Sequence, residues 1–216
     1  MIFLIRDDEL NFPDPRWGDP DGMFAVGGDL SLDRLILAYS KGIFPWYAYK
    51  FYKKPHWYCP MSRFVIFPSE IHISHSMRTM MNNPRYEVTF NQEFVEVMQG
   101  CRYVDYRDQH LGSWLGKHII KAYTELYRVN RAISVEVWKD KILVGGLYGV
   151  VVGRNVIGES MFSDEPSASK LALIHLAKEM EKHGGGIIDC QVESPHLKSM
   201  GARHIPYDEY LRILHS

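Results

Sequence analysis

Apolar residues recur along this chain with two spacings, and where each occurs gives the fold class. "RYEVTF" and "AISVEVW" alternate apolar and polar residues at period two, as half-buried strands do. "NQEFVEVMQG" and "SASKLALIHLAKEMEKHG" place apolar residues three and four apart, which predicts helices. Asn91 caps the first of these, and Gly184 to Gly186 stop the second. Between them, "AISVEVWKDKILVGGLYGVVVGRNVIGESMFS" reads as three strands in a meander, with tight turns at 139–141 and 153–155. A further helix is expected over 114–128, with Lys117, Lys121 and Arg128 on one face and Ile120 and Leu126 toward a core. After the long helix, "IIDCQVE" is a buried-type strand and "SPHLKSMGA" starts a short helix with Pro195 at its first position.

The first sixty residues behave differently. "NFPDPRWGDPDG" is loop chemistry, "SLDRLILAYSKG" is a helix capped by Ser31 and stopped by Gly42, and "IFPWYAYKFYKKPHWYCP" has no helical period. The expected organisation is a small N-terminal domain over 1–62 and a mixed body over 63–216. The fold class is α+β, because the order strand, strand, strand, helix, strand is not the regular alternation of a parallel α/β sheet.

Composition narrows the class without choosing a function. A chain of 216 residues with 46% hydrophobic and 24% charged content is an ordinary globular protein. The formal net charge of −1 removes any global basic field, so a nucleic-acid partner would need a local patch. The start "MIFLIRDDEL" meets charge too soon for a signal peptide, and no apolar run reaches membrane length, so no membrane partner and a cytoplasmic location are expected. The three cysteines, Cys59, Cys101 and Cys190, are widely separated and read as reduced thiols. No metal is implied, since the spacing of His56 and Cys59 has no second pair to complete it.

Candidate chemistry lies in the late strands. Along "NVIGESMFS", strict alternation puts Ile157, Glu159 and Met161 on one face. A water-facing Glu159 fits that pattern as well as a pocket wall does. Glycines at 145, 146, 149 and 158 favour the pocket, because missing side chains leave room for a ligand or a close backbone. In "DCQ", Asp189 and Gln191 share a face, and an acid in so apolar a strand is either structurally hydrogen-bonded or held for function. From Trp46 to Trp57 the chain interleaves Trp46, Tyr47, Tyr49, Phe51, Tyr52 and Trp57 with Lys50, Lys53 and Lys54. Rings and cations together suit single-stranded nucleic acid, although aromatics in a small core with lysines on its rim produce the same pattern.

"GGDLSLDRLILAYSKGIFPW", "LVGGLYGVVVGRNVIGESMFS", "ASKLAL" and "DCQVESPHLKSMGARHIP" together resemble the leucyl/phenylalanyl-tRNA-protein transferase family. The resemblance spans most of the chain, in several long blocks in order. It implies a GNAT-like acyltransferase domain, with a mixed and mainly antiparallel sheet flanked by helices, behind the small N-terminal domain. It implies transfer of Leu or Phe, and by extension Met, from aminoacyl-tRNA to the α-amine of an N-terminal Arg or Lys of a protein, marking that protein for the N-degron pathway. No cofactor is implied, and a monomer is expected.

Residue by residue, Trp46 and Trp114 match the tryptophans that hold the terminal adenosine, Glu159 a pocket glutamate, and Asp189 and Gln191 the pair at the reaction centre. Leu147, Val156, Leu176, Met180 and Ile188 fall where the amino-acid pocket is lined. Ile133 departs from the family's usual His before "SVE", which bears on tRNA docking more than on chemistry. Two other readings compete. An acetyl-CoA-dependent N-acetyltransferase suits the strand order, yet "SMFSDEPSASK" lacks the glycine-rich turn such enzymes place before the helix. A non-catalytic RNA-binding module suits the aromatic-basic segment and leaves the strand acids unexplained.

Overall fold

A computed structural model describes residues 1–46, 54–109 and 115–216, with no account of the side chains of 104–109. Trp114, and the ring-and-lysine stretch from Tyr47 to Lys53, therefore lie outside the described residues.

The N-terminal segment forms a sheet from β1 (Phe3–Ile5), β2 (Met23–Gly27), β3 (Phe44–Trp46) and β4 (His56–Tyr58), in the order β1-β2-β4-β3. Helix α1 (Leu32–Ser40) packs on it, with Leu35, Ala38 and Tyr39 buried. Ser31 occupies its N-cap without a side-chain cap bond, because its hydroxyl donates to Asp29 instead. Trp57 is fully buried, its indole N–H donating to the Gly27 carbonyl at 2.8 Å. It is a core residue and not a stacking platform.

The second sheet contains β5 (Ser62–Ile66), β6 (Tyr86–Phe90), β7 (Ala132–Lys139), β8 (Ile142–Val152), β9 (Asn155–Ser163), β10 (Ile188–Asp189) and β11 (Arg203–Pro206). Their order is β11-β5-β10-β9-β8-β7-β6. All pairings are antiparallel except β9 with β10. The β7–β8 turn works because Asp140 and Lys141 both take positive φ, which matches the twist of the flanking strands.

Helices α2 (His75–Met81), α3 (Phe94–Gln109), α4 (Lys117–Arg128), α5 (Ala168–Lys182), α6 (Pro195–Ser199) and α7 (Tyr207–Leu214) cover both faces. On one face Met98, Tyr123 and Leu126 pack with Tyr148, Val150, Ile157 and Phe162, in a cluster that continues into the first sheet through Phe24 and Trp57. On the other, α5 packs Leu171, Ile174 and Leu176 against Val135, Leu147, Val156 and Ile188. The architecture is α+β, and among the described residues no helix is long and apolar enough to cross a membrane.

Three local expectations change. Asn91 does not cap α3, which starts at Phe94; its side-chain oxygen instead accepts from the Ser134 amide and ties the start of β7. Helix α4 begins at Lys117 and buries Ile119, Ala122, Tyr123 and Leu126, with Ile120 only partly covered. The strand expected over "IIDCQVE" stops at Asp189, because Gln191 turns into the left-handed region with φ 60°.

Candidate active site

A break in the sheet makes the site. Strands β9 and β10 pair only at Val156–Ile188 and Ile157–Asp189. Beyond Asp189 the left-handed Gln191 turns its strand away from β9. On β9 a bulge falls at the same level: Tyr148 opposes Ser160 and Gly149 opposes Gly158, which leaves Glu159 unmatched. The bulge also reverses the faces, so Met161 joins Leu147 and Val156 in one cluster while Ile157 and Phe162 lie in the other. Strict alternation, with Ile157, Glu159 and Met161 together, therefore fails at Glu159 itself.

Between the diverging strands opens a cavity of about 380 Å³. Its apolar wall is Leu147, Met161, Leu173, Leu176, Ile188 and Leu197, and Glu159, Asp189, Gln191 and Trp46 also line it. Trp46, at the end of β3, is 44% exposed and set edge-on to Tyr58 at 5.5 Å between ring centroids. A part-exposed indole beside a greasy recess can stack on a planar ligand group.

The carboxylate of Glu159 organises the polar side. Tyr39 donates to Oε1 at 2.7 Å, Tyr123 donates to Oε2 at 3.1 Å, and the side-chain amide of Gln191 donates to Oε1 at 2.9 Å. The two phenol oxygens are 2.5 Å apart. Burial pushes the Glu159 carboxyl up to about 7, against the lowering effect of its three donors. Burial first, and then the Glu159 charge, hold both phenols well above their ordinary range, so they act as donors at neutral pH. One N–H of Gln191 Nε2 goes to Glu159, and its side-chain carbonyl, with no hydrogen bond among the described residues, can accept from a ligand.

Asp189 is fully buried and paired with the buried Arg63. Its Oδ1 accepts the main-chain N–H of Gln191 at 2.9 Å. The contact between the acid and the amide residue thus runs through the backbone, while Glu159 holds the side chain. Burial, and next the charge of Asp189, push the Cys190 thiol up, so it is no thiolate at neutral pH despite lining the cavity.

Of the sequence candidates, Trp46, Leu147, Glu159, Leu176, Ile188, Asp189 and Gln191 line this cavity. Val156 and Met180 do not. They line a separate hollow of about 240 Å³ with Phe90, Ile133 and His183, to which Leu176 also contributes. Val156 lies in the paired stretch of β9, before the divergence, and Met180 in the last turn of α5.

Of the two uses expected for the glycines, room for a ligand and room for a close approach, three of the four take the second. A Cβ at Gly145 would strike Ala168 of α5, one at Gly146 would lie 2.6 Å from the Val135 carbonyl, and one at Gly149 would lie 2.5 Å from the Ile157 carbonyl. These serve close packing, and only Gly158 opens onto the cavity. Sequence reasoning missed Tyr39, Tyr123 and Arg63, whose aromatic or strand-end settings look like ordinary core. It also missed Leu173 and Leu197 on the apolar wall, whereas Met161, expected on the face of Glu159, does line the cavity.

A family model described as leucyl/phenylalanyl-tRNA protein transferase matches residues 65–215, and one described as that protein's N-terminal domain matches 28–61. The chain belongs to this family. A leucyl/phenylalanyl-tRNA–protein transferase of Flavobacterium psychrophilum is 44% identical over 214 residues, covering 99% of each chain. That of Flavobacterium johnsoniae is 43% identical over 216 residues, covering 100% of each. A third, from Thermodesulfovibrio yellowstonii, is 44% identical over 99% of this chain and 86% of its own. Family membership makes the protein an aminoacyltransferase. Among solved structures, the PaiA N-acetyltransferase from Thermoplasma acidophilum in complex with coenzyme A is 13% identical, with a TM-score of 0.35 over 46% of this chain and 76% of that one.

Proposed function

We propose that the protein moves Leu, Phe or Met from aminoacyl-tRNA onto the α-amine of an N-terminal Arg or Lys of an acceptor protein, and thereby marks the acceptor for N-degron degradation. One observation carries this reading: an apolar recess sized for an aliphatic or aromatic side chain meets the Glu159–Gln191 pair and the exposed Trp46 ring at a single cavity. In this assignment Leu147, Leu176 and Ile188 hold the amino-acid side chain, with Met161, Leu173 and Leu197 completing the wall. Trp46 stacks on the terminal adenosine, and Trp114, in the stretch outside the described residues, is its proposed partner. Residues 1–62 are the small domain that presents Trp46, and 63–216 the transfer domain. The protein acts as a monomer in this proposal.

The chemistry needs little acid–base assistance. The donor is an activated ester, and an α-amine with a pKa of roughly 7.7 to 8.0 is already partly neutral near pH 7. Orienting the two substrates supplies up to about 7 to 11 kcal/mol, more than a single general base usually gives. Gln191 accepts a hydrogen bond from the attacking amine through its free carbonyl and fixes the direction of attack. Being neutral, it positions the nucleophile and does not store its proton. Asp189 acts by holding the Gln191 backbone. A role for Asp189 in neutralising a cationic acceptor fits poorly with a carboxylate that is buried and already paired.

The test is direct. Purified protein, leucyl-tRNA and a peptide beginning with Arg are incubated, and the peptide is examined for the mass of one added leucyl residue. A shifted tRNA band without product supports an RNA-binding module instead, and labelling of the peptide by acetyl-CoA supports an acetyltransferase.

A further inference from the structure

Behind Gln191 lies Arg63, at 0% exposure one of the most deeply buried side chains among the described residues. It sits at the second position of β5, where alternation marks it only as an inward residue beside Phe64 and Val65. Its Nη1 donates to the Gly42 carbonyl at 2.7 Å, and Nη2 pairs with Asp189. The guanidinium carbon lies 4.5 Å from the Tyr210 ring centroid and 5.3 Å from that of Phe44. Burial opposes its charge, and Asp189, with smaller help from Tyr210 and Cys59, more than restores it, so its pKa lies above the usual arginine value. Stability alone does not call for such a group, since well-packed apolar residues generally serve a core as well as a buried ion pair does.

The pair has a mechanical consequence that an apolar replacement would lack. Arg63 takes Oδ2 of Asp189 and leaves Oδ1 for the main-chain N–H of Gln191. That bond holds a non-glycine residue in the left-handed region, a conformation that persists only where its surroundings enforce it. The same left-handed turn brings the Gln191 amide onto Glu159. We propose that Arg63 is a positioning residue of the transfer reaction: by fixing the Asp189 carboxylate it fixes the backbone of Gln191, and through it the carbonyl that meets the attacking amine. This rests on the reading of the site given above.

The test uses non-additivity, which a merely structural arginine would not produce. Arg63→Lys keeps the cation but cannot serve Gly42 and Asp189 with the same planar fork. In the otherwise unaltered protein it lowers kcat for leucyl transfer by about tenfold or more while KM for leucyl-tRNA stays within about twofold. In a Gln191→Ala background it lowers kcat no further, because the group through which Arg63 acts is gone. Should Arg63→Lys not fold, Phe44→Leu, which removes one ring from the guanidinium, carries the same comparison with a smaller fall. An equal proportional fall in both backgrounds, or no fall in the protein that retains Gln191, overturns the proposal. Absence of product with the unaltered protein overturns the reading of the site and this inference with it, whereas product with multiplicative falls overturns the inference alone.

Discussion

Replacing Glu159 by Gln perturbs the centre of the hydrogen-bond network with hardly any change of shape. Three contacts form a closed ring: Tyr39 to Tyr123, Tyr39 to Oε1 and Tyr123 to Oε2. With Glu159 ionised, two phenolic protons must serve those three contacts. With it protonated, Oε2–H donates to Tyr123, Tyr123 to Tyr39 and Tyr39 to Oε1, and every contact is satisfied. Burial outweighs the lowering effect of Tyr39, Tyr123 and Gln191 and raises the carboxyl from 4.5 to about 7.

A carboxyl raised on folding means the folded state holds the proton more tightly. Its contribution is full below the unfolded value of 4.5 and is lost as the pH rises to about 7. At about 1.4 kcal/mol per pKa unit, the loss is about 3 kcal/mol. Glutamine reproduces the protonated acid, donating from its amide to Tyr123 and accepting from Tyr39 and Gln191. Urea unfolding across pH is the assay. The two proteins are of similar stability at about pH 4.5, and at about pH 8 Glu159→Gln is the more stable by about 3 kcal/mol. Its transfer is slower, because a neutral carbonyl holds the Gln191 amide less firmly than a carboxylate. A difference that does not vary with pH, or a variant less stable at about pH 8, refutes the argument.

Other perturbations separate the remaining roles. Gln191→Ala lowers transfer to an Arg-initiated peptide by roughly a hundredfold, with aminoacyl-tRNA binding nearly intact by filter retention. Asp189→Ala lowers transfer too, and by leaving Arg63 buried without its partner it costs about 3 to 5 kcal/mol in denaturant unfolding, which Gln191→Ala does not. Trp46→Ala weakens binding of a leucyl-adenosine analogue by about 1 to 3 kcal/mol, read by calorimetry; equal affinity makes the ring structural. Gly145→Ala overpacks the α5 contact and costs about 1 to 3 kcal/mol of stability, whereas Gly158→Ala, whose Cβ would meet only the Asp189 carbonyl at 3.4 Å, leaves unfolding nearly unchanged and raises KM for the donor.

The parts legible in the sequence are those set by local period and turn chemistry. The meander of β7, β8 and β9, helix α5 and its glycine stop follow from spacing alone. Glu159 stands out because a lone acid among apolar strand residues needs a reason, and the same holds for Asp189. What alternation cannot express is a bulge, because one inserted residue changes which face every later side chain takes; Met161 lines the cavity with Glu159 as expected, while Ile157 is parted from them for that reason.

A left-handed Gln is equally silent, since Gly or Asn is the residue that usually marks such a turn. Glycines at 145, 146 and 149 fit a ligand or a close backbone equally well in the sequence, and only the packing shows that another backbone or helix comes close there. Tyr39, Tyr123 and Arg63 come from three distant segments, and only the packing of α1, α4 and β5 around β9 and β10 shows what they hold. Family resemblance located Val156 and Met180 near the pocket by alignment, while the divergence of the strands decides which hollow they face.

A crystal structure with a non-hydrolysable leucyl-adenosine analogue tests the central claim most directly. The expected complex has the leucyl side chain among Leu147, Met161, Leu173, Leu176 and Ile188, the adenine against Trp46, and the acyl carbon facing the side-chain carbonyl of Gln191. A leucyl group seated in the neighbouring hollow beside Val156 and Met180, or an adenine away from Trp46, contradicts it.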